Sequence, residues 1–163
     1  VSTDLVLRPI READLDAVRR LQADSFAALA GAVHSPAQIA AHVAMIMAPD
    51  YAGDLLSNNI LVAEAPDGAL VATAGWCKVA DDDATARLRK VFVAPDRAGQ
   101  GLGRRMVEAA EESARAAGFR RFRVRANANA EAFYARLGYS PVRREEMPTA
   151  AGVALPTVIM VKG

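Results

Sequence analysis

A mixed α/β (α+β) fold on a largely antiparallel sheet, with elements in the order βααβββαβαββ, is predicted by this chain of 163 residues. The apolar run ending at Val93 is stopped by Pro95 and followed by alternate glycines, Gly99, Gly101 and Gly103, that open a helical segment. A strand, helix and strand around such a loop require a parallel neighbour at that point. Elsewhere the pairing is local. Two β-compatible runs, Asn59–Ala65 and Ala69–Val79, are joined by Pro66-Asp67-Gly68, turn punctuation that pairs strands antiparallel. No repeat, low-complexity block or linker interrupts the sequence, so residues 1–163 read as one domain that can bury about two-thirds of its unfolded surface.

Taken in order, Leu5–Pro9 is a short strand. From Asp14 to about Ala30, residues Leu15, Val18, Leu21, Phe26 and Leu29 recur at broadly helical spacing. Gly31 separates this helix from a second, Ala37–Met47, introduced by Ser35 as N-cap and Pro36. After the hairpin, Ala86–Val93 forms a further strand beyond the acidic turn Asp81-Asp82-Asp83. The helix opened by the glycines runs from Leu102 to Ala117 and stops at Gly118. In the strand Phe119–Ala126, Arg120, Arg121, Arg123 and Arg125 partly alternate with Phe119, Phe122 and Val124, as the outer face of a half-buried strand does. Asn127 is placed to cap a short helix bearing Ala130, Phe133, Tyr134 and Leu137, with Gly138 as its left-handed end. Tyr139–Glu145 and Pro156–Lys162 close the sheet around a loop containing Pro148 and Gly152.

Composition narrows the class. No apolar stretch approaches the roughly 20 residues needed to span a bilayer, and the chain opens with neither a basic leader nor a small-residue cleavage site, so a cytoplasmic location is expected. Cys77, the sole cysteine, leaves no set for a disulfide or structural zinc, and no metal site is read. In the strand-like run Ala74-Gly75-Trp76-Cys77 it is expected to be a small buried hydrophobe. Net charge is only +1, but the signs are segregated. Residues 1–86 hold five basic and twelve acidic side chains, −7, whereas residues 87–145 hold fourteen and six, +8. The middle segment therefore attracts an anion, and salt should slow that encounter.

The glycine loop is suited to a phosphate. Glycines allow close backbone approach, and the first helical turn offers unpaired N–H groups at the positive end of the helix dipole. A Walker loop is excluded because Gly99 and Gly101 lead to Arg104 and Arg105 rather than to Lys followed by Ser or Thr. A dinucleotide fingerprint fails because Met106 stands at its third glycine. What remains, Ala98-Gly99-Gln100-Gly101-Leu102-Gly103, resembles the (Gln/Arg)-x-x-Gly-x-(Gly/Ala) pyrophosphate loop of the GNAT superfamily of N-acetyltransferases, which bind acetyl-CoA. Ala98 departs from the pattern, with Arg97 and Arg104 nearby, which should weaken rather than abolish a grip made mainly by backbone donors. Asn127-Ala128-Asn129-Ala130-Glu131-Ala132-Phe133-Tyr134-Ala135-Arg136-Leu137-Gly138-Tyr139 resembles the same family's Asn-x-x-Ala-x-x-Phe-Tyr-x-x-x-Gly-(Phe/Tyr) segment at every position. Leu5–Asp14 matches its first strand and helix more loosely, so the likeness spans most of the chain.

The resemblance implies a GNAT-like fold in which a splayed parallel strand pair forms the acyl-CoA cleft. It implies that backbone groups of Val91 and Val93, flanking Phe92, hold the pantetheine arm and polarise the thioester. Backbone N–H groups from Ala98 through Gly99, Gln100, Gly101, Leu102, Gly103 and Arg104 would hold the pyrophosphate, and Asn127 would contact pantetheine or position the helix after it. Tyr134 is the expected catalytic acid, its phenol beside the sulfur donating to the departing thiolate. The expected reaction is direct transfer of acetyl from acetyl-CoA to a primary amine of a small molecule, peptide or protein in a ternary complex. No single base stands out among Glu64, Asp81, Asp82, Glu145, Glu146, His34 and His42, each read as a solvated surface residue. Trp76, Tyr51 and Met45-Ile46-Met47 could shape an acceptor pocket or belong to the core. The acceptor stays unidentified, and a homodimer is compatible with the reading. Two alternatives stay open: a non-catalytic acyl-CoA sensor, and a basic nucleic-acid binder, which would bind with a steep salt dependence. The expected partners exclude nucleic acid and membrane.

Overall fold

The computed structural model describes residues 4–163. Among the described residues, seven strands form a single sheet in the order β1-β2-β3-β4-β5-β7-β6. They are β1 (Val6–Pro9), β2 (Asn59–Glu64), β3 (Leu70–Val79), β4 (Asp82–Val93), β5 (Arg121–Asn127), β6 (Ser140–Met147) and β7 (Leu155–Lys162). Every neighbouring pair is antiparallel except β4 with β5. The helices are α1 (Leu15–Leu29), α2 (Pro36–Met47), α3 (Tyr51–Ser57), α4 (Leu102–Ala116) and α5 (Glu131–Arg136). The element order thus matches the sequence expectation with one helix added.

That helix, α3, escaped periodicity because its seven residues include Gly53 and complete fewer than two turns. Tertiary burial supplies what local propensity lacks, since Leu55 is fully buried with Val18 and Val62. The acidic stretch expected as a turn is also different: β4 already begins at Asp82, whose carboxylate accepts from Ala84 N–H (2.9 Å) and the Thr85 hydroxyl (2.6 Å). A self-contained Asx arrangement thus holds the strand's first residues. Asn127 precedes a short 3₁₀ turn, Ala128–Ala130, and makes no side-chain capping bond. By contrast α2 starts as expected: Ser35 and Gln38 exchange side-chain and backbone hydrogen bonds of 2.9 and 3.1 Å, with Pro36 at the first position.

The main core lies where α4 crosses β3 and β4. Leu102, Met106, Val107, Ala110 and Ala114 form its buried stripe, against Trp76, Leu88, Phe122 and Val124. Each large apolar side chain buried in this way contributes about 1.5–3 kcal/mol. Trp76 donates from Nε1 to Ser113 Oγ (3.0 Å), which fixes the indole to α4 and removes it from any acceptor pocket. At the other end of the sheet, the Arg8 guanidinium bridges Asp14 (2.7 and 3.0 Å) and Glu64 (2.6 Å), locking β1 to the entry of α1. Among the described residues, no helix is long and apolar enough to cross a membrane.

Candidate functional site

The parallel strands pair only briefly. Thr85–Leu88 lie against Arg121–Val124, after which β4 runs on to Val93 and β5 to Asn127 without pairing each other. The β4 edge from Arg89 to Val93 is left open toward β5, and a bulge explains the divergence. Thr73 faces Phe92 while Gly75 faces Arg89, so β4 carries one residue more than β3 across this interval. Lys90 takes up the excess at φ 59°, in a left-handed conformation that non-glycine residues seldom adopt. Such a bulge bends its strand and sharpens the twist. A buried relay stabilises it: the Tyr51 hydroxyl donates to Gln22 Oε1, Gln22 Nε2 donates to Thr73 Oγ1 (3.1 Å), and the Thr73 hydroxyl donates to Lys90 C=O (2.7 Å).

Two cavities meet at this opening. The larger, about 460 Å³, is walled by Val91, Phe92 and Val93 of β4, the glycine loop, Asn127, Phe133 and Arg136 of the α5 segment, and Phe26 and Leu29 of α1. Its floor is the glycine loop, whose backbone geometry suits an anion. Gly99 and Gly101 sit at φ 76° and 81°, where a side chain would be strained. The first backbone bond of α4 runs from Arg105 N–H to Gly101 C=O (3.1 Å), so the preceding N–H groups through Arg104 come before the helical ladder. Gly103 allows close helix packing, since a Cβ there would lie 3.0 Å from the Phe133 ring.

Of the residues singled out in the sequence, Val91, Phe92, Val93, Ala98, Gly99, Gly101, Gly103, Arg104 and Asn127 line this cavity. Gln100 and Leu102 do not. Gln100 donates from Nε2 to Asp96 C=O (3.3 Å), and the Leu102 side chain is buried in the core beneath α4. The Ala98 N–H is committed to Pro95 C=O (3.4 Å), so donors open to an anion begin one residue later than the motif suggested. Sequence reasoning missed Asn129, whose Oδ1 is buried on the cavity wall without a hydrogen-bond partner. It also missed Arg136, a cation on the same wall. Both lie inside the Asn127–Tyr139 segment, which was the available signal; the α1 wall, distant in sequence, had none.

The second cavity, about 170 Å³, shares Val91, Phe92, Asn127 and Ala130 with the first. Tyr134 lines this one and not the larger. Its ring is buried, packed edge-on between Phe133 and Tyr139 at 5.0 and 5.5 Å, and desolvation alone pushes its phenol pKa well above the ordinary value. The phenol is therefore protonated, and a donor, throughout the neutral range. His42, Met45, Ile46 and Tyr51 close the opposite wall, whereas Met47 is half exposed and outside it.

His34 and His42 were expected at the surface and are instead buried. The α1–α2 junction packs both against Phe26, at 5.3 and 3.9 Å between ring centroids. Desolvation, then the charges of His34 and Lys90, depress His42 to about 4, so it is a neutral imidazole at physiological pH. Cys77, expected buried, is half-buried on β3. It pairs in register with Arg87, on a sheet face that the core helix α4 does not cover. Of the carboxylates considered as bases, Glu64 holds Arg8 (2.6 Å), Glu145 holds Arg143 (2.8 Å) and Arg125 (3.6 Å), and Glu146 is exposed. The arginines of β5 alternate with buried residues as expected. Arg121 and Arg123 face Asp82 and Asp81 at 3.5 and 3.8 Å.

The profile of the GNAT acetyltransferase domain matches residues 57–141. No curated protein sequence matches the chain. Among solved structures, the chain is similar to a GCN5-related N-acetyltransferase of Rhodopseudomonas palustris at 25% identity and a TM-score of 0.86, covering 100% of this chain and 98% of that one. The PaiA N-acetyltransferase of Thermoplasma acidophilum, solved in complex with coenzyme A, shares the fold at 17% identity and a TM-score of 0.74, covering 97% and 98%. YncA of Salmonella typhimurium, solved with its cofactor acetyl-CoA, shares it at 20% identity and a TM-score of 0.63, covering 98% and 93%.

Proposed function

Because the chain belongs to the GNAT acetyltransferase family, we propose that its 163 residues act as one cytoplasmic N-acetyltransferase domain that uses acetyl-CoA to acetylate a primary amine. The observation that carries this reading is the meeting of two cavities at the open edge of β4, one floored by the glycine loop and the other holding Tyr134. Donor and acceptor can then approach from different sides and react in a ternary complex.

The residues present fit acetyl-CoA. The glycine loop offers backbone donors and an unobstructed surface for a pyrophosphate, with Arg104 and Arg136 on the same wall. The orphaned Asn129 Oδ1 needs a donor of the kind an amide-bearing arm provides. When bound, acetyl-CoA supplies a thioester carbonyl that a neutral amine attacks, forming the C–N bond and releasing a thiol. Val91 and Val93 present backbone groups at the open strand edge that can align the arm and hydrogen-bond the carbonyl oxygen. Tyr134 donates its phenolic proton to the departing sulfur, the proton lost by the attacking nitrogen then restores the phenol, and such a positioned acid contributes ~100-fold or more. Asn127 lines both cavities and holds the strand end from which the Tyr134 helix departs.

The deprotonated amine needs no strong base beside it. Arg87, Arg89, Lys90 and Arg125 line the acceptor cavity, and like charges favour the neutral form of an entering ammonium. Titration calorimetry with acetyl-CoA, followed by detection of released thiol across an amine panel, tests the proposal. Saturable binding and amine-dependent thiol release support it; binding with no release for any amine would assign a sensor instead.

A further inference from the structure

Resting on that acetyltransferase reading, we propose that the acceptor is a small amine bearing an anionic group, a carboxylate or phosphate, and that Arg87 is the residue that receives it. The acceptor cavity carries four cations, Arg87, Arg89, Lys90 and Arg125. Two carboxylates answer them. Asp54 is shared between Arg89 (3.0 and 3.1 Å) and Lys90 (2.8 Å), and Glu145 lies 3.6 Å from Arg125 while holding Arg143 more closely at 2.8 Å. The other ionisable groups facing the cavity, His42, Tyr51 and Tyr134, carry no negative charge at neutral pH, because burial holds the imidazole down and both phenols up. The cavity is therefore positive even after its internal pairs are counted.

Arg87 concentrates this excess. Among the described residues it has neither an ion pair nor a side-chain hydrogen bond, and its half-buried guanidinium is destabilised by desolvation first, then by Arg89 and Arg125, which outweigh the opposing influence of Cys77 and Asp54. Its cross-strand neighbours, Cys77 on β3 and Arg123 on β5, form no ion pair with it. A partly desolvated guanidinium with five donors and no acceptor is costly unless a ligand completes it. The planar fork matches a carboxylate or phosphate in a way that an ammonium or amide cannot. Arg87 lines only the acceptor cavity and not the glycine-loop cavity, so the anion it awaits belongs to the acceptor rather than to acetyl-CoA. The volume of 170 Å³ equals that of about six waters, which suits a small amine. A polyamine would meet like charge on several sides.

The test measures acetyl-CoA-dependent thiol release with matched pairs: glycine, L-leucine, 4-aminobutyrate and phosphoethanolamine against glycinamide, L-leucinamide, 4-aminobutanamide and ethanolamine. Parent enzyme should favour at least one anionic member over its neutral partner. Arg87→Gln should lower kcat/KM about 10- to 100-fold more for that acceptor than for its neutral partner, collapsing the preference between them, and leave acetyl-CoA affinity unaltered, with Arg87→Lys intermediate. Equal turnover within every pair, or a preference that survives Arg87→Gln, overturns the proposal while leaving the acetyltransferase reading intact. Loss of acetyl-CoA affinity in Arg87→Gln also overturns it, since the residue would then serve the donor. If no amine releases thiol, the acetyltransferase reading fails, and saturation-transfer NMR with the four anionic amines decides the site separately. Binding to parent that is lost in Arg87→Gln supports the anion site, and no binding to parent overturns it. Should Arg87→Gln fail to fold, Arg87→Met, which keeps an apolar stem, gives the same comparison.

Discussion

The hydroxyl of Thr73 on β3 donates to the carbonyl of Lys90 on β4 at 2.7 Å, at the residue whose φ of 59° marks the bulge. This bond ties the strained turn of β4 to its neighbour while leaving the opposite edge open. Behind it stands Gln22, fully buried on α1, so a helix distant in sequence is coupled to the shape of the cleft. Backbone strain of this sort persists when the surroundings over-determine it.

Thr73→Val keeps the volume but removes the hydroxyl. It leaves Lys90 C=O and Gln22 Nε2 without their buried partner, at a cost of about 1–3 kcal/mol. Chemical denaturation should show that loss, and kcat should fall because the β4 edge relaxes. Unchanged stability would mean the relay does not hold the bulge.

Tyr134→Phe should reduce kcat by ~100-fold while acetyl-CoA affinity stays within about a factor of two, because the ring remains and only the proton donor goes. Burial raises the phenol pKa, so the parent should show no alkaline loss from this group below about pH 10. Equal turnover of mutant and parent at saturating substrates would remove Tyr134 from the chemistry.

Gly101→Asp and Gly103→Glu should each weaken acetyl-CoA binding by at least about tenfold, a loss of about 1.4 kcal/mol. The first adds strain at φ 81° and a negative charge beside the cradle; the second drives a side chain into Phe133 and sets a carboxylate at the cavity wall. Calorimetry with parent-like affinity in both would locate the diphosphate elsewhere.

Asp14→Asn probes the β1–α1 junction. The Arg8 hydrogen bonds hold the Asp14 carboxyl below the ordinary carboxylate range, against burial, with a further bond from Arg11 N–H (2.8 Å). A folded pKa below the unfolded one gives stability that is full above about pH 4 and is lost as pH falls through the folded value. The variant should be less stable at pH 7 by about 1–3 kcal/mol and show a shallower decline on acidification. An acid-unfolding curve parallel to that of the parent would exclude this linkage.

The local features were legible in the chain: the order of strands and helices, the β2–β3 hairpin, the glycine turn, the capped α2 and the short helix bearing Phe133 and Tyr134. Each of these is written in short-range steric and hydrogen-bonding preferences, which need no partner. Folding in three dimensions set the rest: α3, the start of β4 at Asp82, the uncapped Asn127, the burial of His34 and His42, the bulge at Lys90 and the charge imbalance around Arg87. These arise from groups brought together across the sheet, such as Gln22 with Thr73 or Arg89 with Asp54. Hydrogen bonding and desolvation act over a few ångströms in space, so a residue's neighbours along the chain cannot reveal whether folding will give its charge a partner.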